Sequence, residues 1–361
     1  MKKKKIIHFI FNLGRGGAET MMVRVIKELD EYEHIVVTLF PLNHFGNELQ
    51  CDKLICLNLG SLFSLPWAVF KFRKLLKAEK PAIVHTHLFW PTIIARAAVP
   101  EKIPLITTIH AFIAHSVEYK NWHIRFLDKL TYRFRKTIII VVAKGALEEY
   151  FSFLKLTPYK AYALYTFVDI GRFNIAHATA KEPSAVFRVI SVGALRTQKN
   201  YSFLIHAFEQ LKHAAIELHI YGVGNLQQKL QQQIKDSGVN VILKGEVQNI
   251  EQIIPQYDLY VMPSRYEGFS LSVLEAMAMG LPLLLSDIPS FREQCEDTAE
   301  YFSLNDANEL TQKIAFISMK SGEELKAAGE KGRQRAIHNF TLPQHIEGLR
   351  KIYTAAVTDT N

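Results

Sequence analysis

The sequence predicts an α/β protein made of two doubly wound, Rossmann-like domains. Short β-branched apolar runs alternate with longer amphipathic segments along most of the chain, and the series restarts after Glu182-Pro183. Several of the short runs are apolar on both faces, which is typical of parallel strands covered by helices on both sides. The length of 361 residues agrees with two domains of ordinary size. Two such series therefore indicate two parallel sheets.

Ten short runs are predicted to form the strands. Those of the first series are Ile6–Leu13, His34–Phe40, Ile83–Thr86, Leu105–Ile109 and Thr137–Val142. Those of the second series are Phe187–Val192, Glu217–Tyr221, Asn240–Leu243, Asp258–Met262 and Pro282–Ser286. We expect an N-terminal domain over residues 1–172 and a second domain over 173–341, because the segment around 172–185 has no core periodicity. Residues 342–361 are expected to form a terminal helix, which in a two-lobed protein can pack back onto the N-terminal domain.

Composition and charge narrow the class of protein. Hydrophobic residues make up 48% of the chain and charged residues 22%, which excludes collagen-like, low-complexity and disordered proteins. Residues 1–172 hold 25 Lys+Arg against 14 Asp+Glu, whereas residues 173–361 hold 18 against 21. The whole positive excess therefore belongs to the N-terminal half, which suggests that the two halves face different surroundings.

Neither the cysteines nor the apolar runs indicate export or membrane insertion. Cys51, Cys56 and Cys295 are odd in number and lack a usual metal or redox spacing, so we expect thiols in a reducing compartment. The basic start leads into Ile6–Leu13, which is too short and too polar for a signal peptide and fits a first strand better. The stretch from Leu54 to Phe70 is too short for a membrane-spanning helix. A cytoplasmic location is expected.

The segment 257–276 carries the strongest functional pattern. It predicts a strand, a loop and a helix that begins near Ser270 to Ser272, with Glu267 in the loop and Glu275 in the helix. The N-terminus of a helix offers free N–H groups and positive partial charge, which suit a diphosphate. The two carboxylates could then accept hydrogen bonds from the hydroxyl groups of a sugar and a ribose.

A simpler interpretation of the same residues is open. Ser272-x-x-Glu275 is also a capping box, in which Glu275 only caps its own helix, and Glu267 could be an exposed loop acid. Local physics does not separate this interpretation from a nucleotide-sugar site.

The segment resembles the E-x7-E signature of retaining glycosyltransferase family 4, with Met262-Pro263-Ser264 followed by Glu267-Gly268-Phe269-Ser270-Leu271-Ser272-Val273-Leu274-Glu275-Ala276. Other stretches match further loops of that family in order and spacing: Gly16-Gly17-Ala18-Glu19, Thr107-Thr108-Ile109-His110, Val168-Asp169-x-x-Arg172-Phe173, Gly193-Ala194-Leu195-Arg196-Thr197-Gln198-Lys199-Asn200, Ile220-Tyr221-Gly222-Val223-Gly224 and Lys244-Gly245-Glu246-Val247. The resemblance covers nearly the whole chain. It implies the GT-B fold, in which two Rossmann-like domains face each other across a cleft.

The resemblance also implies a role for each matched residue. Three are expected to be catalytic: Glu267 near the anomeric carbon of the donor sugar, His110 beside that sugar, and Lys199 at the diphosphate. Donor binding is expected from Gly193, Arg196, Glu246, Val247, Gly268, Phe269, Ser270, Leu271 and Glu275. Among these, the backbone at Phe269 to Leu271 would hold the diphosphate, Glu275 the ribose, and the loop at Glu246-Val247 the base. Gly16 and Gly17 would let the N-terminal backbone approach phosphate or acceptor closely.

The chain departs from the family pattern at two places. Ala194 stands where many members have an arginine, so Arg196 is the candidate to replace it. The linker has Tyr165-Thr166-Phe167 before Val168-Asp169, where many members have Asn-Gly, so that turn must be built differently.

The expected activity is transfer of a sugar from a nucleotide-sugar donor to a glycan or lipid-linked acceptor, with retention of anomeric configuration, in cell-envelope polysaccharide biosynthesis. The alternatives are a nucleotide-sugar epimerase on the same fold and a catalytically silent binding protein. No cofactor or metal is expected, because His85 and His87 have no evident third ligand in the sequence. An NAD enzyme and a P-loop NTPase are poorly supported, since the loop after Gly14 lacks the third glycine of the dinucleotide fingerprint and no P-loop occurs.

Two basic, aromatic-rich stretches carry much of the N-terminal charge. Leu65 to Lys80 and Tyr119 to Lys136 have the pattern of helices that lie on anionic membrane surfaces, which would place the protein at the inner face of the membrane. Ordinary helices with their aromatic residues in the core remain the alternative. Nucleic acid is a weaker explanation, because the basic residues are spread over several elements and no nucleic-acid module is evident.

Overall fold

The chain folds into two compact units. A computed structural model describes residues 3–14, 16–61, 64–116, 118–179, 181–182 and 184–358, so Arg15 of the predicted glycine-rich loop and Pro183 at the predicted restart lie outside it. One unit comprises Met1–Thr166 with Pro343–Asn361, and the other comprises Phe167–Leu342. The units therefore divide at residue 166 rather than at the predicted 172.

The first unit is built on a parallel sheet. Its described strands are β1 (Lys4–Ile10), β2 (Tyr32–Thr38), β3 (Lys53–Cys56), β4 (Ile83–His87), β5 (Leu105–Ile109), β6 (Ile138–Val141) and β7 (Lys160–Ala163). They lie in the order β3-β2-β1-β4-β5-β6-β7. The helices between them are α1 (Gly17–Glu28), α2 (Leu65–Glu79), α3 (Phe89–Ala98), α4 (Trp122–Phe134) and α5 (Lys144–Leu154).

The central strand β1 shows why this sheet must be covered on both sides. Phe9 packs on one side in a core with Phe72 of α2, and Ile10 packs on the other side with Met22 and Ile26 of α1. All of these side chains are buried, as the two-faced apolar run in the sequence requires.

The second unit repeats the architecture. Its described strands are β8 (Phe187–Val192), β9 (Ile216–Tyr221), β10 (Val241–Gly245), β11 (Leu259–Met262), β12 (Leu283–Ser286) and β13 (Glu300–Phe302), in the order β10-β9-β8-β11-β12-β13. Its helices are α6 (Tyr201–Phe208), α7 (Gln227–Ser237), α8 (Ile250–Ile253), α9 (Leu271–Ala278), α10 (Pro289–Cys295), α11 (Ala307–Ser318) and α12 (Gly322–Asn339).

The last helix, α13 (Leu342–Thr358), packs on the first unit. The hydroxyl group of Tyr353 lies 2.7 Å from Nδ1 of the buried His85, and the Arg350 guanidinium lies 2.7 Å from the carboxylate of Glu31. None of the helices in the described part of the chain is long and apolar enough to cross a membrane.

Both sheets reverse their strand order between two neighbouring central strands. In the first unit these are β1 and β4, and in the second unit β8 and β11. Open parallel sheets bind ligands outside the carboxyl ends of the strands at such a point. The loops that follow β8 and β11 are therefore the place to look for a donor site.

Candidate active site

Two loops meet at the switch point of the second sheet. Residues 193–200 follow β8, and residues 263–270 follow β11, which pairs directly with β8. The Arg265 N–H donates to the Gln198 carbonyl at 2.9 Å, and the Gln198 side-chain amide donates to the Tyr266 carbonyl at 3.0 Å. These bonds hold the lysine loop against the glutamate loop.

The carboxylate of Glu267 lies at the centre of this junction and is 7% exposed. It accepts hydrogen bonds from Lys199 Nζ at 2.7 Å, from Ser264 Oγ at 2.6 Å and from Gln198 Nε2 at 3.3 Å. Several donors satisfy both of its oxygens, as a buried carboxylate requires. The interpretation of Glu267 as an exposed loop acid is therefore wrong.

Gly193 leaves the room that Lys199 needs to reach this carboxylate. A Cβ atom at residue 193 would lie 2.9 Å from Lys199 Cε and 2.9 Å from the Tyr201 hydroxyl. Gly222, after β9, has φ +137° and packs so closely that a Cβ there would lie 2.1 Å from the Gly193 carbonyl oxygen. The loop geometry thus depends on glycine at both positions.

Helix α9 begins beside the carboxylate. Its N-cap is Ser270, whose side chain makes no capping hydrogen bond, while its backbone N–H donates to Gln294 Oε1 at 2.9 Å. Ser272 lies inside the first turn and accepts a hydrogen bond from the Tyr260 hydroxyl at 2.9 Å. The capping-box interpretation of Ser272 and Glu275 is therefore wrong, because Ser272 is not the N-cap.

Glu275 lies on the second turn of α9 and is partly buried. Desolvation raises the pKa of its carboxyl group to about 7, against the opposing positive charges of Arg172 and Lys199. In the described part of the chain, no protein group donates a hydrogen bond to this carboxyl group. A carboxyl group that is held without a protein donor is able to accept hydroxyl groups from a ligand.

The other predicted donor-binding residues differ in how far they are buried. Gly268 and Phe269 are buried at the start of α9, where the Phe269 ring packs at 5.0 Å on Phe340, and Leu271 is partly buried. Arg196 is exposed, as is Glu246 after β10, and Val247 is partly buried. In the described residues, the groups that hydrogen-bond the Glu267 carboxylate are those of Lys199, Ser264 and Gln198, not those of Arg196 or Glu246.

In the first unit, the predicted glycine-rich loop leads into α1. Gly16 is the N-cap and Gly17 the first helical residue. A Cβ atom on Gly16 would lie 2.4 Å from a carboxylate oxygen of Glu19, so this turn accepts little more than glycine without a shift of that side chain.

His110 follows β5 and lies next to other histidines. Its Nε2 is 3.3 Å from His87 Nδ1. Burial, with a smaller contribution from His345, lowers the pKa of His110 to about 3, so the ring is neutral at physiological pH. It can exchange hydrogen bonds but supplies no positive charge.

Several residues at these sites were not singled out from the sequence. Ser264 and Gln198 are hydrogen-bond donors to Glu267, and their only sequence signal is their place in the two quoted motifs. The expectation that His85 and His87 lack a third potential ligand is wrong, because His8 on the neighbouring strand lies beside them. Only strand pairing could reveal this contact.

Comparison with known proteins agrees with this geometry. The family model "Glycosyltransferase Family 4" matches residues 15–172, and the model "Glycosyl transferases group 1" matches residues 174–335. The chain belongs to glycosyltransferase family 4. This confirms the resemblance drawn from the sequence motifs, and the enzyme class that it implied.

Relatives of this glycosyltransferase span almost its whole length. It is 25% identical to a Campylobacter jejuni N-acetylgalactosamine-N,N'-diacetylbacillosaminyl-diphospho-undecaprenol 4-alpha-N-acetylgalactosaminyltransferase, over 92% of this chain and 95% of the relative. It is 26% identical to an Escherichia coli UDP-Gal:alpha-D-GlcNAc-diphosphoundecaprenol alpha-1,3-galactosyltransferase, over 84% and 83% of the two chains. The crystal structure of Anabaena HepE in complex with UDP-glucose matches with a TM-score of 0.82 at 16% identity, over 98% of this chain and all of HepE. These likenesses confirm the GT-B class of two Rossmann-like domains.

Proposed function

We propose that this glycosyltransferase moves a sugar from a nucleoside diphosphate sugar to a lipid-linked glycan acceptor, with retention of anomeric configuration, in the assembly of a cell-envelope polysaccharide. Both relatives are named for acceptors on diphospho-undecaprenol, and HepE binds UDP-glucose. The named relatives are transferases, which does not favour the epimerase or the silent binding protein.

The observation that supports this proposal most is the buried pair of Lys199 and Glu267 at the switch point. Departure of a nucleoside diphosphate develops negative charge on its phosphate oxygens, and a preorganised cation beside a helix N-terminus stabilises that charge. Lys199 and the start of α9 supply this combination. In this proposal protein groups, rather than a metal ion, neutralise the diphosphate.

The carboxyl groups of Glu267 and Glu275 then have separate roles. Glu267 is held rigidly by its hydrogen-bond donors, so it can orient hydroxyl groups of the donor sugar with little loss of entropy. Glu275 is proposed to bind the ribose. In the first unit, His110 and the turn at Gly16 and Gly17 are proposed to contact the sugar and the acceptor.

The test uses conservative variants in the full chain. Lys199→Ala and Glu267→Gln should each lower turnover by about 100-fold or more, since one preorganised electrostatic contact is worth that much. The matched control is the ion pair of Lys320 and Glu300 in the same unit, whose charged atoms are 2.8 Å apart and which is not part of the two loops. Lys320→Ala and Glu300→Gln should retain turnover.

Release of nucleoside diphosphate, with and without membrane extract, measures turnover and its dependence on acceptor. Proton NMR of the product reports the anomeric configuration. Near-normal turnover in folded Lys199→Ala and Glu267→Gln would contradict the assigned site. Consumption of the donor without acceptor, with release of an isomerised sugar, would favour the epimerase instead.

We also propose that the first unit contacts an anionic membrane through α2 and α4. The aromatic side chains Trp122, Phe126 and Phe134 of α4 are 70%, 57% and 79% exposed, whereas Ile124 and Asp128 face the interior. The interpretation in which the aromatic residues of α4 fill the core is therefore wrong for these three positions. Solvent-exposed aromatic residues beside cations are the pattern of helices that insert into a membrane surface.

Helix α2 presents a similar surface. Trp67 and Phe70 are exposed and stack at 5.2 Å, with Lys71 Nζ lying 5.9 Å from the Trp67 ring centre. Phe72 of the same helix is fully buried, so there the core interpretation holds. Helix α3 packs against both α2 and α4, which therefore flank it.

Sedimentation with vesicles tests this surface. The wild-type chain should bind anionic vesicles at low salt and lose binding as salt rises, because screening weakens the attraction. Trp122→Ala combined with Phe126→Ala should weaken binding by about tenfold or more. Phe316→Ala is the control, because Phe316 is also 57% exposed but lies in the second unit. Equal loss in the control, or no vesicle binding by the wild type, would refute the surface.

A further inference from the structure

Three buried histidines meet on one face of the first sheet. His8 of β1 is the direct pairing partner of His85 of β4, and His87 lies two residues further along β4 on the same face. The ring centres are 5.8 Å apart for His8 and His85, 6.0 Å for His8 and His87, and 4.4 Å for His85 and His87. One nitrogen atom from each ring lies within 4.8 Å of those of the other two.

Hydrogen bonds fix which nitrogen of His8 faces this group. His34 Nε2 lies 2.8 Å from the Leu29 carbonyl, which can only accept, so this nitrogen carries the proton and His34 Nδ1 is an acceptor. His8 Nε2, at 3.0 Å from His34 Nδ1, must then donate to it. The unprotonated Nδ1 of His8 has no hydrogen-bond partner among the described residues, and His8 is fully inaccessible to solvent.

His87 carries a second unpaired nitrogen. Its Nδ1 lies 3.3 Å from His110 Nε2. Its Nε2 is buried and finds no hydrogen-bond partner in the described part of the chain, and the residue is 5% exposed. An unpaired buried polar atom costs about 1–3 kcal/mol. Two such atoms in one cluster indicate a ligand that would pair them.

Both nitrogens of the third ring, that of His85, contact hydroxyl groups. His85 Nδ1 lies 2.7 Å from the Tyr353 hydroxyl, and its Nε2 lies 2.7 Å from the Thr108 hydroxyl. A hydroxyl group can rotate away from the nitrogen it contacts. His8 and His87 each have one nitrogen anchored by a neighbour. His85 would keep its contact with Tyr353 while Thr108 releases its Nε2. Anchoring of the nitrogen that does not bind the metal is the outer-shell arrangement that orients histidine ligands.

The rings surround a cavity of about 20 Å³, which has room for roughly one water molecule or ion. Its lining includes His8, His85 and His87, together with Thr108 and the apolar side chain of Met22. Burial keeps the pKa values of the three histidines well below the ordinary value, so the rings are neutral. Neutral imidazole is the form that binds metals.

We propose that His8, His85 and His87 bind one divalent transition-metal ion, with Zn²⁺ as the best match, and that water or the Thr108 hydroxyl completes the coordination. Tetrahedral zinc needs nitrogen ligands about 2.0–2.1 Å from the metal, so side-chain movements of the order of 1 Å close the present spacing. The ion would link β1 to β4 and, through the contact of His85 with Tyr353, to the terminal helix α13. This proposal does not depend on the proposed transfer reaction, although His87 contacts His110, which is proposed to lie beside the donor sugar.

Metal loading of the intact chain tests the proposal. Chain stripped with chelator and then supplied with Zn²⁺ should retain one ion per chain by elemental analysis. Co²⁺ in its place should give the intense visible bands of a tetrahedral site. His8→Gln and His87→Gln should each weaken binding by about 100-fold. The control is His219→Gln, because His219 Nε2 is also buried and makes no hydrogen bond to a described residue, but lies in the second unit, 3.8 Å from the Glu217 carboxylate.

Each outcome decides for or against the site. Loss of the ion in the two variants and its retention in His219→Gln would support it. No ion in the wild type, with a water molecule bridging the two unpaired nitrogens, would overturn it, as would equal binding in all variants. His87 lies at a less buried position than His8, so His87→Gln carries the test if His8→Gln fails to fold.

Discussion

Asp128 of α4 forms a buried ion pair with Arg96 of α3, and replacing it with asparagine should destabilise the first unit strongly. Arg96 Nη1 lies 2.5 Å from Asp128 Oδ1, and the two side chains are 1% and 3% exposed. The Tyr119 hydroxyl donates to Asp128 Oδ2 at 2.5 Å and the Tyr150 hydroxyl to Oδ1 at 3.1 Å. This carboxylate therefore ties three segments of the unit to one guanidinium.

The expected loss of stability follows from the buried charge of Arg96 that remains in the variant. Asparagine has nearly the volume of aspartate, so Asp128→Asn creates no large cavity. It leaves the Arg96 guanidinium buried without its counter-charge, which costs about 3–5 kcal/mol in the free energy of unfolding. Replacing both partners with apolar residues, as in Arg96→Met with Asp128→Leu, should recover most of this loss, because no buried charge then remains.

Tryptophan fluorescence during urea unfolding measures this free energy selectively. All three tryptophans of the chain, Trp67, Trp90 and Trp122, belong to the first unit, so the second unit does not contribute to the signal. A two-domain chain need not unfold in one step, and a probe restricted to one unit avoids that complication.

The control is an exposed ion pair of the same unit. Arg350 and Glu31 lie 2.7 Å apart with side chains 43% and 40% exposed, so Glu31→Gln should cost about 1 kcal/mol or less. If Asp128→Asn costs no more than Glu31→Gln, the argument from burial is refuted. Failure of the double replacement to recover stability would show instead that the hydroxyl network, not the charge, stabilises the packing of α4.

Two further predictions concern the second unit. The pKa of Glu275 is raised to about 7 in the folded chain, so the folded state binds the proton more tightly than the unfolded state does. The resulting contribution to the free energy of unfolding, up to about 3 kcal/mol, is complete below pH about 4.5 and is lost as the pH rises through 7. Glu275→Gln should flatten the decline in stability between pH 5 and pH 8 measured by circular dichroism, and an unchanged pH profile would contradict the raised pKa. Gly329→Ala should destabilise the packing of α12 on α9 by about 1–3 kcal/mol or more, since its Cβ would lie 1.8 Å from the Gly280 carbonyl oxygen. Gly322→Ala, at the open start of α12, should leave the melting temperature nearly unchanged, and equal shifts in the two variants would rule out the steric explanation.

Apolar periodicity identified the central strands and the edge strand β10, but missed the other three edge strands. Each of the ten predicted runs overlaps a strand of the structure, and Leu105–Ile109 and Phe187–Val192 coincide with β5 and β8. The described strands that were missed, β3, β7 and β13, lie at sheet edges. They are short and partly exposed, so they lack the two-faced apolar run that marks a buried strand.

Helix α4 shows a second limit of prediction from sequence periodicity. Its sequence has one stripe with Trp122 and Phe126 and an opposite stripe with Ile124 and Asp128, and the pattern left open whether the aromatic stripe faces the core or a membrane surface. The structure buries the other stripe, because Arg96 from α3 compensates the charge of Asp128. A pairing between helices separated by dozens of residues decides which face is solvent-exposed.

The amino-acid sequence by itself determined the fold class and the family, because strand periodicity and loop motifs are local along the chain. It also predicted which loops bind the donor, since they directly follow predicted strands. Only the tertiary structure decided that Glu267 is buried against Lys199 and Ser264, and that His8 joins His85 and His87. The reason is physical: in a parallel sheet, neighbouring strands come from distant parts of the chain, so contacts between their ends depend on strand order and not on sequence spacing.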